Sequence, residues 1–155
     1  MERLLFDQTM AITIPDEFEE LPEEMAEKIY ITENRPQIIE TTKDRKIHIT
    51  MSNTEMEIDH CYLKQILDMS VANLKRMNPA YEFFDQQMAK SQNVEYVWFD
   101  FKGFSFEGEL YYLNAIALIH NKMHHISFMC PIEMKTEKKE LFLNILNGMK
   151  DMTRI

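Results

Sequence analysis

Residues 94–131 read VEYVWFDFKGFSFEGELYYLNAIALIHNKMHHISFMCP, and they contain the strongest strand pattern of the chain. Eight of the chain's aromatic residues lie between Tyr96 and Tyr112, and the only tryptophan is among them. Apolar residues alternate with a period of two, as they do in strands, and turn residues divide the stretch. The sequence therefore predicts an antiparallel meander of three strands.

The first strand of the meander changes phase. Its apolar residues occupy odd positions up to Phe101 and even positions after Gly103. A one-residue slip moves side chains to the opposite face, so either Lys102–Gly103 is a hairpin turn or Gly103 is a bulge. A turn there would leave one strand from residue 104 to 119, beyond the usual limit of about 10 residues. We therefore predict a bulge at Gly103 and a turn at Glu107–Gly108.

The second strand of the meander, residues 110–119, is apolar on both faces, which predicts cover on both faces of the sheet. The chain then reverses at His120–Met123, where Asn121 can adopt a positive φ. The third strand is apolar on one side but carries His125 and Ser127 on the other. This uneven pattern predicts a position nearer the edge of the sheet.

Two amphipathic helices supply the predicted cover. The first runs from about residue 59 to Met77, and Asn78–Pro79 ends it. Its apolar stripe is Leu63, Ile66, Leu67, Val71 and Leu74. The second is capped by Thr136 and ends near Gly148. We expect one domain spanning residues 1–155, of the α+β class, in which an antiparallel β-sheet has a helix packed on each face.

The rest of the chain supplies shorter elements. Further strands are predicted at residues 4–6, 10–14, 37–42, 46–52 and 81–88, with a polar loop at 89–93. Residues 16–27 hold seven acidic side chains, and Pro22 fits the first turn of a short helix there. This acidic tract is either a patch for a basic partner or a solvated surface.

Composition excludes several functional classes. The net charge of −9 argues against nucleic-acid binding, which requires clustered Lys and Arg side chains. None of the three glycines lies in a dinucleotide-binding, phosphate-loop or nucleophile-elbow motif. No segment reaches the roughly 20 apolar residues of a membrane span. Residues 1–10 contain no signal-peptide pattern, which predicts a cytoplasmic protein with Cys61 and Cys130 as free, buried thiols.

Several segments together resemble the PsbP-like fold family. They are MAITIPDEF at residues 10–18, RPQIIETTKDRKIHITMS at residues 35–52, and a helix, the aromatic meander and a final helix after Cys130–Pro131. The family includes a photosystem subunit, a Ran-binding import factor and many bacterial domains of unknown role. The resemblance implies a bacterial, non-enzymatic binding or assembly factor, since some bacterial relatives are chaperones for secreted effectors.

Three residues of the first meander strand form the candidate binding site. Tyr96 and Trp98 lie on the face opposite Val97, Phe99 and Phe101, and Asp100 follows them on that same face. If no helix reaches them, they form an exposed aromatic patch of the kind that marks binding sites. The alternative is that both rings belong to the core.

No other cluster supports a chemical site. His120, His124 and His125 gather at one turn, but no nearby carboxylate completes a metal-ligand set. Asp100 and Glu107 either pair for acid–base chemistry or occupy a solvent face. We assign no catalytic residue, no metal and no cofactor.

Three functions remain open. The first is a binding module that engages a protein or peptide through the aromatic sheet face, as an adaptor or chaperone does. The second is a carrier that holds a small apolar ligand in a cavity of roughly 300–1,000 Å³ between sheet and helix. The third is an enzyme whose site is assembled from scattered residues such as His120 and His125.

Overall fold

The computed structural model describes residues 1–30, 35–106 and 108–154, which form three α-helices and ten strands. The helices are α1 (Glu23–Ile29), α2 (Leu63–Met77) and α3 (Lys135–Asn147). The strands are β1 (Glu2–Leu5), β2 (Met10–Thr13), β3 (Phe18–Glu20), β4 (Ile38–Thr42), β5 (His48–Glu57), β6 (Glu82–Lys90), β7 (Glu95–Ser105), β8 (Gly108–Ile119), β9 (Lys122–Pro131) and β10 (Lys150–Asp151).

Seven of the strands form one sheet in the order β3-β4-β5-β9-β8-β7-β6, and each strand runs antiparallel to its neighbours. The other three form a small sheet in the order β1-β2-β10. Strands β3 and β6 are the edges of the large sheet. The predicted meander is confirmed, since β7, β8 and β9 are consecutive neighbours in the large sheet.

Helix α2 covers one face of the large sheet. A short 3-10 turn precedes it, and the side chain of Asp59 caps that turn by accepting the N–H of Cys61 at 3.0 Å. Its buried residues Leu63, Leu67 and Val71 pack on apolar side chains of β7 and β8. Burial of each such side chain contributes about 1.5–3 kcal/mol.

Helix α3 and the small sheet cover the opposite face. Phe142 of α3 stacks on Phe128 of β9 with ring centroids 4.7 Å apart. Met10 and Ile12 of β2 belong to the same buried cluster. The α+β architecture with a helix on each face of an antiparallel sheet is therefore confirmed. Among the described residues, no helix is long and apolar enough to cross a membrane.

The predicted bulge at Gly103 is wrong. Pairing of β7 with β8 runs without interruption from Tyr96 opposite Ala117 to Ser105 opposite Gly108. The even-numbered phenylalanines that suggested a slip do not enter the core, because Phe104 is 45% exposed and Phe106 is fully exposed. The turn lies between Ser105 and Gly108, and Glu107 lies outside the described residues.

Packing against Tyr112, and not a bulge, explains why position 103 is a glycine. The Tyr112 ring lies over it, and a Cβ added at Gly103 would stand 2.8 Å from Tyr112 Cε2. That separation is shorter than van der Waals contact, so only glycine leaves room for the ring.

The predicted edge position of β9 is also wrong, because β9 lies between β5 and β8 at the centre of the sheet. Its uneven pattern has a different cause. Helix α2 packs on β7 and β8 and leaves the same face partly open over β9 and β5. In that open part, His125 is exposed, and Thr50 and Ser127 are half-buried.

Three smaller expectations need correction. Strand β6 continues to Lys90, so the predicted loop at residues 89–93 is shortened to a turn that starts at Ser91. Helix α3 starts one residue before Thr136, because a 3-10 turn leads directly into it and the N–H of Lys135 already bonds to Ile132 O. Cys61 is exposed on the turn before α2, whereas Cys130 is buried as predicted, and both thiols are free.

Candidate binding site at the edge strand β6

Strand β6 is a long, open edge of the large sheet. Seven of its nine residues are exposed: Glu82, Phe84, Asp85, Gln86, Gln87, Met88 and Lys90. The other sheet edges among the described residues, β1, β3 and β10, have four residues or fewer. Edge strands present unpaired N–H and C=O groups, which can pair with another chain.

The direction of these backbone groups follows from the turn after β6. The N–H of Ser91 donates to Val94 O at 2.9 Å, which makes Ser91 and Val94 a hydrogen-bonded pair. Hydrogen-bonded and non-hydrogen-bonded pairs alternate along an antiparallel ladder. Gln87 and Ala89 therefore bond to β7, while the N–H and C=O groups of residues 86, 88 and 90 point away from the sheet.

A bulge interrupts β6 near its start. Phe83 pairs with Phe101 and Gln86 pairs with Phe99, so Phe84 and Asp85 together lie opposite the single residue Asp100. Two residues that oppose one bend the strand and increase its twist. The regular part of the open edge is therefore residues 86–90.

The buried carboxylate of Asp100 holds this bulge. It accepts the backbone N–H of Asp85 at 2.8 Å, the Tyr111 hydroxyl at 2.6 Å and the Lys139 Nζ at 2.9 Å. Lys139 also contacts Asp85 Oδ2 at 2.6 Å. Asp100 is fully buried, and a buried charge is stable only when it is paired and hydrogen-bonded in this way.

The titration of these groups argues against a catalytic role. Burial, followed by the hydrogen bond to Asp100, raises the pKa of Tyr111 far above its usual range. Burial alone would lower the pKa of Lys139, but the carboxylates of Asp85 and Asp100 outweigh it and raise that pKa. Lys139 stays a protonated cation at neutral pH and cannot act as a nucleophile. The network is suited to positioning β6.

The three residues proposed from the sequence lie on β7, the strand next to this edge. Tyr96, Trp98 and Asp100 are 4%, 5% and 0% exposed and point towards α3, so they do not form an open aromatic patch. Their β6 neighbours are Ala89 opposite Tyr96 and Gln87 opposite Trp98. They support β6 from the side of β7, and Asp100 does not lie on a solvent face.

A groove of about 470 Å³ lies at the end of β6, beside the start of α2. It is mainly apolar, and Met88, which is 53% exposed, lies on its rim. The groove is lined by His60, Cys61, Leu63, Met88, Ala89, Lys90, Glu95 and Tyr96. Tyr96 therefore contacts the candidate site even though its ring is almost wholly buried.

A second groove, of about 720 Å³, adjoins the first at His60, Lys90 and Glu95. It is mainly polar, and the His60 ring lies 3.4 Å from Glu95 Oε2 and 3.7 Å from Asp59 Oδ1. An open polar groove does not match the closed apolar cavity that a small-ligand carrier requires.

The structure does not bring the other histidines together. His120 lies in the β8–β9 turn with φ of 55°, beside Asn121, whose predicted positive φ of 60° is confirmed. His124 is buried against Phe6 on one face of the sheet, whereas His125 is exposed on the other. Among the described residues, no group of three potential metal ligands occurs.

Sequence reasoning missed β6 as the exposed element, although a signal was present. Asp85, Gln86 and Gln87 are three consecutive polar residues in a predicted strand. Because successive side chains point to opposite faces, such a run indicates that neither face is covered, which is typical of an edge. The bulge left no comparable signal.

Comparison with known proteins identifies the fold. No family model matches the chain, and no curated protein matches it. CyanoP, the cyanobacterial PsbP of Synechocystis sp. PCC 6803, is similar in structure with a TM-score of 0.69 at 10% identity, over 97% of this chain and 91% of that one. The chain therefore has a PsbP-like fold.

Two further solved structures share this fold. LpqN of Mycobacterium tuberculosis, which is involved in cell envelope biogenesis, has a TM-score of 0.63 at 12% identity over 91% of this chain and 82% of its own. PA94 of Pseudomonas aeruginosa, a protein of unknown function described as a putative regulator, has a TM-score of 0.55 at 8% identity over 95% and 93%. At such identities the likeness extends to the fold alone.

Proposed function

We propose that this protein is a non-enzymatic binding module that takes up an extended segment of a protein or peptide as an additional strand on β6. The observation that carries the proposal is the open edge at residues 86–90, where three residues direct their backbone groups outward. Main-chain hydrogen bonds to such an edge give affinity, and nearby pockets give specificity. An adaptor or chaperone-like role agrees with this mode of binding.

The groove beside β6 supports the proposal. A strand added along β6 passes the exposed Met88 side chain and the groove of about 470 Å³ that Leu63 and Tyr96 line. A large apolar side chain of the bound segment fits there. The sequence suggested binding through an aromatic face of the sheet. We assign binding instead to the edge strand β6, and the buried residues Tyr96, Trp98 and Asp100 of the neighbouring strand β7 hold that edge in place.

A matched pair of variants at Met88 tests the proposal. Peptides are first selected from a random phage-displayed library on the whole chain, and their affinities are then measured for M88A and M88P. M88A removes only the side chain. M88P also removes the outward N–H and leaves a carbonyl of the peptide unpaired, a loss of about 1–3 kcal/mol. We expect M88P to weaken binding about tenfold or more relative to M88A.

Three outcomes would overturn the proposal. The first is that the library yields no binding peptide. The second is that M88P binds the selected peptides as tightly as M88A. The third is that the chain alone is a dimer which M88P converts to a monomer, because β6 would then pair with a second copy.

A further inference from the structure

Both helices that cover the large sheet direct lysines towards β6. On α2, Lys75 Nζ lies 5.3 Å from the centre of the Phe83 ring. On α3, Lys135 Nζ lies 3.6 Å from the centre of the Phe84 ring, and Lys139 follows one helical turn later, where it contacts Asp85. Lysines therefore flank the start of β6 on both faces of the sheet.

A further lysine on α2 is neutralised within this arrangement. Lys64 Nζ lies 3.0 Å from Asp68 Oδ2, and Asp68 Oδ1 accepts a hydrogen bond from Gln86 Nε2 at 3.2 Å. Lys139 is neutralised in the same way by Asp85 and Asp100.

Three lysines around β6 remain without such a partner. Lys75 and Lys135 contact aromatic rings, and Lys90 stands exposed at the end of β6. None of the three forms an ion pair with an acidic residue that the structure describes. Lys75 and Lys135 place positive charge on both faces of the sheet beside β6, and Lys90 places it at the end of the strand. They indicate an anionic partner for this edge.

We propose that the segment bound at β6 is acidic. The inference rests on the proposed function and specifies the partner. Successive side chains of a strand point to opposite faces. Two adjacent Asp or Glu residues of the bound segment, just beyond the part paired with residues 86–90, therefore reach Lys75 on one face and Lys135 on the other. A third acidic residue about six positions away reaches Lys90. An apolar side chain between them lies at Met88 and its groove.

Strand addition distinguishes this partner from a nucleic acid. Phosphate backbones bind through charge alone and do not require the outward N–H groups of residues 86, 88 and 90. An acidic peptide uses the lysines and these N–H groups together. A single-stranded oligonucleotide is therefore the appropriate competitor class.

The test uses two designed nine-residue peptides with the same β-branched pattern and the same central apolar residue. One carries Glu at positions 1, 2 and 8, and the other carries Lys at those positions. Their affinities for the whole chain are measured by fluorescence anisotropy, with oligo-dT as a third probe. Exposed ion pairs contribute about 0.2–1 kcal/mol each, so K75Q and K135Q should each weaken binding of the acidic peptide up to about fivefold.

Controls separate this inference from the proposed function. K43Q removes one positive charge from the turn between β4 and β5, far from β6 in the strand order, and should leave the affinity unchanged. Binding of the acidic peptide should weaken at high salt because added ions screen exposed charges. We expect it to bind about tenfold more tightly than the basic one.

Each other result has a defined meaning. If both peptides bind equally and M88P weakens both, the β6 site stands and the acidic partner is wrong. If the acidic peptide binds M88P as tightly as M88A, both proposals are wrong, because the lysines then act without strand addition. Oligo-dT binding of equal affinity, or no binding of the acidic peptide, also overturns the inference.

Discussion

The fully buried carboxylate of Asp100 accepts the backbone N–H of Asp85 at 2.8 Å, and this bond determines the shape of the edge strand. It stabilises a bulge in which Phe84 and Asp85 share one position of the ladder. Bulges are one means by which proteins protect an open edge from indiscriminate pairing. The edge is thus closed to regular pairing near its start and open at residues 86–90.

Removing the Asp100 carboxylate should destabilise the fold. D100A leaves the partly buried Lys139 with Asp85 as its sole carboxylate partner in the described part of the chain. It also removes the hydrogen-bond acceptor of the Tyr111 hydroxyl and of the Asp85 backbone N–H. Breaking a buried ion pair costs about 3–5 kcal/mol. D100N keeps an oxygen acceptor for Asp85 and should cost less than D100A. Urea unfolding measures both free energies, and a D100A loss below about 1 kcal/mol would contradict the role given to Asp100.

The glycine at position 103 offers a second test. G103A places a Cβ 2.8 Å from the Tyr112 ring, and overpacking of this kind costs about 1–3 kcal/mol. Gly148 provides the control, because a Cβ there meets only backbone oxygens at 3.6 Å. G148A should be neutral or stabilise slightly. Equal melting temperatures for both variants would show that Tyr112 does not require the glycine.

Proline substitutions test the direction of the β6 backbone groups. Q87P removes an N–H that bonds to β7, whereas M88P removes one that points to solvent. Proline is tolerated in edge strands where its missing N–H faces solvent. We expect Q87P to lower the free energy of unfolding by at least about 1 kcal/mol more than M88P does. The reverse order would place the outward groups on residues 87 and 89.

The buried His124 predicts loss of stability in mild acid. Burial lowers the pKa of His124 below its ordinary value of about 6.5, although its hydrogen bond to Lys122 O and the nearby Asp151 oppose this. The unfolded state therefore takes up a proton at a higher pH than the folded state. The free energy of unfolding should fall as the pH falls below about 6.5, at up to about 1.4 kcal/mol per pH unit.

One variant separates His124 from the other two histidines with a lowered pKa. Burial also lowers the pKa of His48 and of His125, so the wild-type slope contains all three contributions. H124L should reduce the slope of unfolding free energy between pH 7.5 and 5, because it removes the His124 contribution. An unchanged slope in H124L would show that this imidazole does not titrate on unfolding.

The arrangement of the sheet and both helices was predictable because it depends on strong periodicities. Residues 110–119 are apolar on both faces, and that pattern requires cover on both. The small sheet was only partly predictable, since β10 has two residues and its pairing with β2 depends on how the chain end docks.

The candidate site was less predictable for two physical reasons. Period-two alternation places Tyr96, Trp98 and Asp100 on one face but does not say whether a helix covers that face. An aromatic residue that is exposed to solvent gives the same sequence pattern as a core residue shifted by a bulge. Phe104 therefore suggested a one-residue slip at Gly103. The bulge lies instead on β6, the edge strand that pairs with β7. Three consecutive polar residues there give no apolar alternation in which the one-residue shift could be seen.

Hydrogen exchange at β6 distinguishes strand addition from binding elsewhere, with amide signals followed residue by residue with and without a selected peptide. In the free protein, we expect fast exchange at Gln86, Met88 and Lys90, and slower exchange at Gln87 and Ala89. Bound peptide should slow the three fast amides. Peptide-induced protection elsewhere, with these three unchanged, would contradict strand addition to β6.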